Sequence, residues 1–315
     1  MKRIAFHILF FFFTTQFFSQ GFVRPGDWKK YRKEVFVSLG SSHFLGDLGG
    51  RDRQGTDYSP ADLDLATTRT AFGAGFRYRV KRWLNVTGTF NYLRLNGDDA
   101  ETFDKYRSNR NLNFKTNLFE LNGLIEIGYS SAKSSGNRYS IKRTLTRRVN
   151  NRNWNLYAYA GIGGFYFNPK GRMLNGKYVN LYSLHTEGQG LPGGPKQYKR
   201  YQISIPLGAY YKITWKKKWS VGFDLCWRKT FTDYIDDVSG GYYDPIALGT
   251  AYGPLAVQMA DPNLGLIDGF SSPAADGTPA QRGDSNLDSY FSMQITFGYT
   301  FKNQKRKKAR LRSKF

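Results

Sequence analysis

The feature that most restricts this chain is an alternation of period two that returns eight times. Residues 202–213 display it: Ile203, Ile205, Leu207, Ala209, Tyr211 and Ile213 share one parity, whereas Gln202, Ser204, Gly208 and Lys212 share the other. A helix would mix the two sets, but a strand sends them to opposite faces. Eight such strands in a chain with a mean hydropathy of −0.55 point to a membrane barrel, in which only alternate residues meet lipid.

Turn signals place the strands near 34–45, 70–80, 83–97, 117–131, 153–167, 200–215, 218–231 and 288–302. Eight is even, so both ends of an up-and-down barrel lie on one side, which for an outer-membrane barrel is the periplasm. Lys81-Arg82 and Lys216-Lys217 read as tight turns, and the segments 46–69, 98–116, 168–199 and 232–287 as long outer loops. The connection 132–152 is long yet falls on the short-turn side. The expected fold is all-β: an eight-stranded antiparallel transmembrane up-and-down β-barrel with a side-chain-filled interior, because eight strands enclose little more space than side chains occupy. By parity Arg77, Arg79, Glu120, Asn122, Glu126, Asp224 and Arg228 face inward. Three acids against three arginines form a charge-paired plug, and a proton or ion relay is the functional alternative for the same groups.

Lys2 and Arg3 precede an apolar run, Ile8 to Phe13, far short of the roughly 20 residues of a spanning helix. The reading is a signal peptide over 1–20, a basic periplasmic segment over 21–33, the barrel over 34–302 and a basic periplasmic tail over 303–315. Cys226 is the only cysteine, so no intramolecular disulfide can form, and none lies near the cleavage point to carry lipid. Trp83, Trp154, Trp215 and Trp219 sit beside short turns or strand starts, where an aromatic girdle belongs.

Charge is distributed as unevenly as hydrophobicity. Segments assigned to the periplasmic side hold 25 Lys and Arg against one acid, Asp27, whereas the last outer loop has eight Asp against Arg282 alone. The net charge of +23 would suggest nucleic acid, which the exported compartment excludes. Lipid headgroups, acidic wall polymer or an acidic periplasmic protein remain as partners. Headgroup contact accounts for the tight turns. Protein docking better suits the longer segments, whose cations are Arg138, Lys142, Arg143, Arg147, Arg148 and Arg152 in the connection, and Lys305, Arg306, Lys307, Lys308, Arg310 and Arg312 in the tail.

Chemistry-bearing signals are sparse. Outside the leader only His43 and His185 remain, so neither a metal site nor a cofactor is expected, nor a small-molecule substrate. Gly188-Gln189-Gly190-Leu191-Pro192-Gly193 has the spacing of a dinucleotide loop but no helix to follow. Ser41 or Ser42 with His43 and Asp47 is the single triad-like grouping. A lipid-modifying hydrolase built on it is the least favoured alternative, behind a small channel or ligand-binding barrel, because adjacent strand residues point apart.

Several segments resemble PorG-like outer-membrane barrels of the Bacteroidota. They are Gly40 to Gly50 (GSSHFLGDLGG), Leu95 to Ala100, Arg110 to Phe114 with Glu120 and Glu126, Ala158 to Lys170, Thr186 to Gly190, Ile205 to Gly208 and, most specifically, Arg228 to Ser239 (RKTFTDYIDDVS). The resemblance implies an eight-stranded barrel tied to the type IX secretion system, a non-enzymatic anchor between the outer membrane and periplasmic secretion ring proteins. Within the motif loops, Gly46 permits a sharp exit from the first strand. Asp47 adjoins it, and Asp233, Asp236 and Asp237 cap backbone amides or bridge to Arg51, Arg53 or Arg110, with calcium coordination as the alternative.

Overall fold

The computed structural model describes residues 27–48, 68–102, 105–130, 152–216, 218–266, 282–283 and 286–303. Ten antiparallel strands form one sheet: β1 (Lys33–Leu45), β2 (Arg69–Arg79), β3 (Leu84–Asp98), β4 (Asn113–Ser130), β5 (Arg152–Tyr166), β6 (Lys170–Arg172), β7 (Tyr178–Asn180), β8 (Tyr201–Trp215), β9 (Trp219–Thr230) and β10 (Ser289–Phe301). Eight of them close into a barrel in the order β1-β2-β3-β4-β5-β8-β9-β10, with β10 returning to β1. That seam runs the whole length of both strands, from Lys33 opposite Phe301 to Leu45 opposite Ser289. Closure gives each of these eight strands a partner on both sides.

The alternation read from sequence becomes a radial sorting of side chains. Val37, Leu121 and Ile162 face outward and are 58%, 67% and 71% exposed, while Glu34, Glu120 and Lys212, of inward parity, are buried. The charged groups are inside, packed with aromatics such as Tyr157 and Tyr210, and the aliphatic band is outside. Two aromatic belts bound the apolar surface. At the turn end Tyr129 meets Trp154 at 5.6 Å and Trp219 meets Tyr299 at 4.9 Å; at the loop end Tyr92 meets Phe119 at 5.2 Å and Tyr166 meets Tyr201 at 4.8 Å. Phe119 and Tyr129 are outward residues of one strand, ten positions apart. At about 3.3 Å per residue and about 40° of tilt they stand roughly 25 Å apart along the axis, the height of a lipid-facing band.

The strand ends lie close to their expected positions, with one informative difference. β4 starts at Asn113 rather than Asn117 because β3 and β4 continue paired beyond the belt, as far as Asp98 opposite Asn113. The loops also contain structure that no alternation announced. The hairpin β6–β7 joins β4 through Lys115 and Lys170. Helices cover Lys105–Arg110, Pro245–Tyr252 and Pro254–Ala260. Asp244 caps the second of these, with Pro245 in its first turn, and Gly253 at φ 87° ends it. Above the barrel the loops pack an apolar cap that includes Leu48, Leu95, Phe114, Phe167, Ile235 and Met259.

Ile125 faces outward midway between the belts and is 55% exposed. Ile125→Arg is expected to destabilise the barrel in lipid vesicles by about 2–4 kcal/mol, read from urea unfolding. Leu174→Arg, in an exposed loop, is expected to leave the midpoint in place.

Candidate functional site

The inward side chains gather into two layers, each electrically balanced. Nearer the turns, Glu126 accepts from Arg77 Nε at 2.8 Å, Asn85 at 2.9 Å and Thr87 at 2.6 Å. Arg77 also donates to Glu34 at 3.2 Å, and Glu34 accepts from Lys212 at 2.5 Å and Ser220 at 2.6 Å. The Arg77 guanidinium lies 4.3 Å from the Tyr210 ring centre and 4.7 Å from that of Phe36. Two cations and two carboxylates therefore cancel inside the low-dielectric wall. Nearer the loops, Arg228 Nε donates to both oxygens of Glu120 at 3.1 Å. Tyr290, Asn91 and Ser204 complete the shell of Glu120 at 2.8, 3.1 and 3.3 Å. Such pairing is what makes buried charge tolerable.

Between the layers is a cavity of ≈ 30 Å³ whose lining includes Asn122, Tyr159, Asp224 and Gln294. That is room for about two waters. Asn122 Oδ1 and Gln294 Nε2 lack protein hydrogen-bond partners, which suits a wet chamber. The two charged layers and the side chains around this chamber fill the interior between them.

The expected pairing of three arginines with three acids needs correction. Arg77 and Arg228 take Glu126 and Glu120, but Arg79 and Asp224 do not meet. Register explains why: Asp224 lies opposite Tyr210 and Gln294 in mid-barrel, while the Arg79 amide bonds Arg32, which precedes β1. Asp224 instead accepts from the Tyr159 hydroxyl at 2.9 Å. Glu34 and Lys212 join the network, and their inward parity was the signal available in the sequence.

The acidic motif of the last loop is also internal. Asp236 accepts from the amides of Val238 at 3.0 Å and Leu48 at 3.3 Å, thereby joining the first and last loops. Asp237 accepts from Thr186 at 2.6 Å and Tyr198 at 2.7 Å. Asp288 accepts from the amide of Ile235 at 2.8 Å. Asp233 lies beside Asp236 and Asp288. Among the described residues the arginine contacts of the loops differ from that expectation. Arg110 pairs with Asp99 at 2.7 Å, and the buried Arg282 pairs with Glu187 at 3.1 Å and donates to the Asp237 carbonyl at 2.7 Å. Arg51 and Arg53 lie outside the described residues. Gly46 earns its place by space, since a Cβ there would come within 2.2 Å of the Asp288 carboxylate and 2.4 Å of the Phe44 ring.

Of the triad-like residues, His43 Nε2 lies 3.2 Å from Ser41 Oγ on the same face, while Ser42 points inward and donates to the Arg94 carbonyl at 2.6 Å. Asp47 turns away from the strand: its carbonyl accepts from Arg107 at 3.2 Å and Arg110 at 3.4 Å. Gly188 to Gly193 form tight turns, Gly188, Gly190 and Gly193 having φ of 68°, 84° and 80°. Of the docking candidates, only Arg152 falls among the described residues, at the start of β5 on the turn end; Arg138 to Arg148 and Lys305 to Arg312 lie outside them.

No protein-family model matches the chain, and no curated protein matches it. Solved structures similar to it include Ail, the attachment invasion locus protein of Yersinia pestis, in complex with the heparin analogue sucrose octasulfate. It is 11% identical, over 86% of this chain and 99% of that one, with a TM-score of 0.35. Neisserial surface protein A shares 6% identity over 85% and 97% of the two chains at a TM-score of 0.34. A major outer membrane protein from Thermus thermophilus shares 10% over 85% and 99% at 0.33.

Glu120→Ala leaves Arg228 buried without its carboxylate, and is expected to cost about 3–5 kcal/mol of unfolding free energy in detergent. Glu120→Leu combined with Arg228→Leu should recover most of that loss.

The cap responds to pH in a stated direction. Burial raises Asp237 to about 6, although Arg282 pulls the other way. Burial likewise pushes Asp236 well above the usual carboxylate range, with Asp233 adding to the rise, and it does the same to Asp288, with Asp236 adding. A carboxyl raised on folding stabilises the cap fully below its unfolded value, roughly 4, and for Asp237 this contribution is lost as pH rises through about 6. Limited proteolysis of the loops is therefore expected to be slower at pH 5 than at pH 8, after correction for protease activity.

Proposed function

We propose that this chain is a non-enzymatic outer-membrane β-barrel that anchors a periplasmic assembly of type IX protein secretion, in the manner expected of PorG-like barrels. The observation that carries the anchor reading is the filled interior. Two neutral layers, Glu34-Arg77-Glu126-Lys212 and Glu120-Arg228, occupy the space through which a channel would conduct. The paired aromatic belts and the apolar band between them supply the membrane contact.

What remains for a partner is the turn end. Lys29, Lys30, Arg32, Lys33, Lys81, Arg82, Lys216 and Lys218 all lie there, in the approach to β1 or in the short turns. The connection between β4 and β5 and the segment after β10 leave from the same end, and they add Arg138 to Arg152 and Lys305 to Arg312. A concentrated positive surface of this kind favours an acidic protein face and speeds encounter with it. The sequence motifs, above all Arg228 to Ser239, direct the choice of partner to the periplasmic secretion ring.

Two measurements test the reading. Recovery of ring subunits with the tagged chain is expected to fall when Asn303 to Phe315 is deleted and Arg143, Arg147 and Arg148 are changed to Gln; unchanged recovery would overturn the docking role. Planar bilayers holding the purified barrel are expected to show no stable single-channel steps, and sustained conductance would replace the anchor with a channel.

A further inference from the structure

A second basic surface lies at the opposite end of the barrel and faces outward, toward the surroundings rather than the lumen. Arg94 on β3 and Lys115 on β4 have the outward parity of Tyr92 and Phe119, one and two outward positions beyond the loop-end belt. Lys170 on β6 is the direct cross-strand partner of Lys115. The three line a 360 Å³ cavity with Asn117, Asn168 and the ring of Phe119.

Like charges placed opposite each other on a sheet repel, so this arrangement costs energy unless something negative occupies it. No carboxylate among the described residues pairs with Arg94, Lys115 or Lys170. Asp98, nearby on β3, is bound to Arg172 at 2.8 Å. The Tyr178 ring holds the Lys115 ammonium 3.1 Å from its centre, which directs that side chain without neutralising it. Asn117 adds an amide group to the same lining, and Arg69 a further cation.

Height identifies the occupant. Lys115 lies four residues beyond Phe119 along β4, roughly 10 Å along the barrel axis. A bilayer of about 30 Å hydrocarbon and about 40–45 Å in total has its polar groups at that level. Phe119 and Leu121, 43% and 67% exposed, continue the surface downward, so an amphiphile could lay its chains on them with its headgroup in the notch.

We propose that the notch of Arg94, Lys115 and Lys170 binds the phosphate of a lipid headgroup in the leaflet on the loop side of the membrane. The inference rests on the membrane-barrel reading above. It gives the barrel a fixed contact with its own bilayer, separate from the basic turn end.

The test uses the full chain in nanodiscs containing diphosphorylated lipid A, the same glycolipid with its phosphates removed, or zwitterionic lipid alone. Bound lipid is measured by native mass spectrometry. The wild-type chain is expected to retain the phosphorylated lipid selectively, and R94Q/K115Q/K170Q to retain it about a hundredfold less. The charge-preserving R94K/K115R/K170R and the control K105Q/K177Q/K196Q, drawn from loop positions outside the notch lining, should behave as wild type. Correct folding of each variant is checked by heat-dependent electrophoretic mobility. Equal retention by the triple Gln variant, equal retention of the dephosphorylated lipid, or displacement of the lipid by millimolar inorganic phosphate would overturn the proposal. So would loss of binding to a soluble sulfated saccharide in the triple variant with lipid retention intact, since the notch would then serve a polysaccharide. A wild-type chain that fails to enter nanodiscs overturns the membrane reading, whereas one that enters without selective lipid overturns this inference alone.

Discussion

Everything in this molecule depends on keeping charge inside a ring of strands whose outer surface is apolar. Glu34, Glu120, Glu126, Arg77, Lys212 and Arg228 are all nearly inaccessible to solvent, and each alone would carry a desolvation cost of several kcal/mol. They are stable because each layer sums to zero and every carboxylate is met by two or more donors. The side chains that fill the barrel also set its register. Arg77 reaches Glu126 across β3, and Lys212 reaches Glu34 across β9 and β10, so a slip of one strand would turn an ion toward the apolar face.

The loop end repeats the same logic in a different medium. There the apolar side chains face inward, as in a soluble protein, and acids and arginines rivet the loops above them. Arg282 is the clearest case: its side chain pairs with Glu187 while its carbonyl accepts from Arg110 at 2.6 Å. Arg110 in turn holds Asp99. Three of the outer loops are thus joined by two guanidinium groups, whose planar forks satisfy several acceptors at once.

The barrel was legible because a two-residue period survives any detail of loop or turn. The strand ends, the even count and the inward parity of Glu120, Glu126, Arg77 and Arg228 all followed from it. Parity names the residues on a face but not their neighbours around the ring, which depend on the stagger between strands. Hence parity puts Arg79 and Asp224 on the inner face without showing that Asp224 meets Tyr159, or that Glu34 and Lys212 belong to the network. The cap was less legible, because Asp236, Asp237 and Glu187 act through contacts between loops that lie 39 to 188 residues apart in sequence. A lone Arg282 among eight Asp was the one compositional trace of it.

The seam between β1 and β10 carries a consequence for how the chain is made. Lys33 pairs with Phe301, so the first strand waits for the last before either has its full set of hydrogen bonds. No shorter product presents a sealed sheet to lipid. The sequential hairpins can pair as they emerge, but the ring itself is complete only when the last strand meets the first.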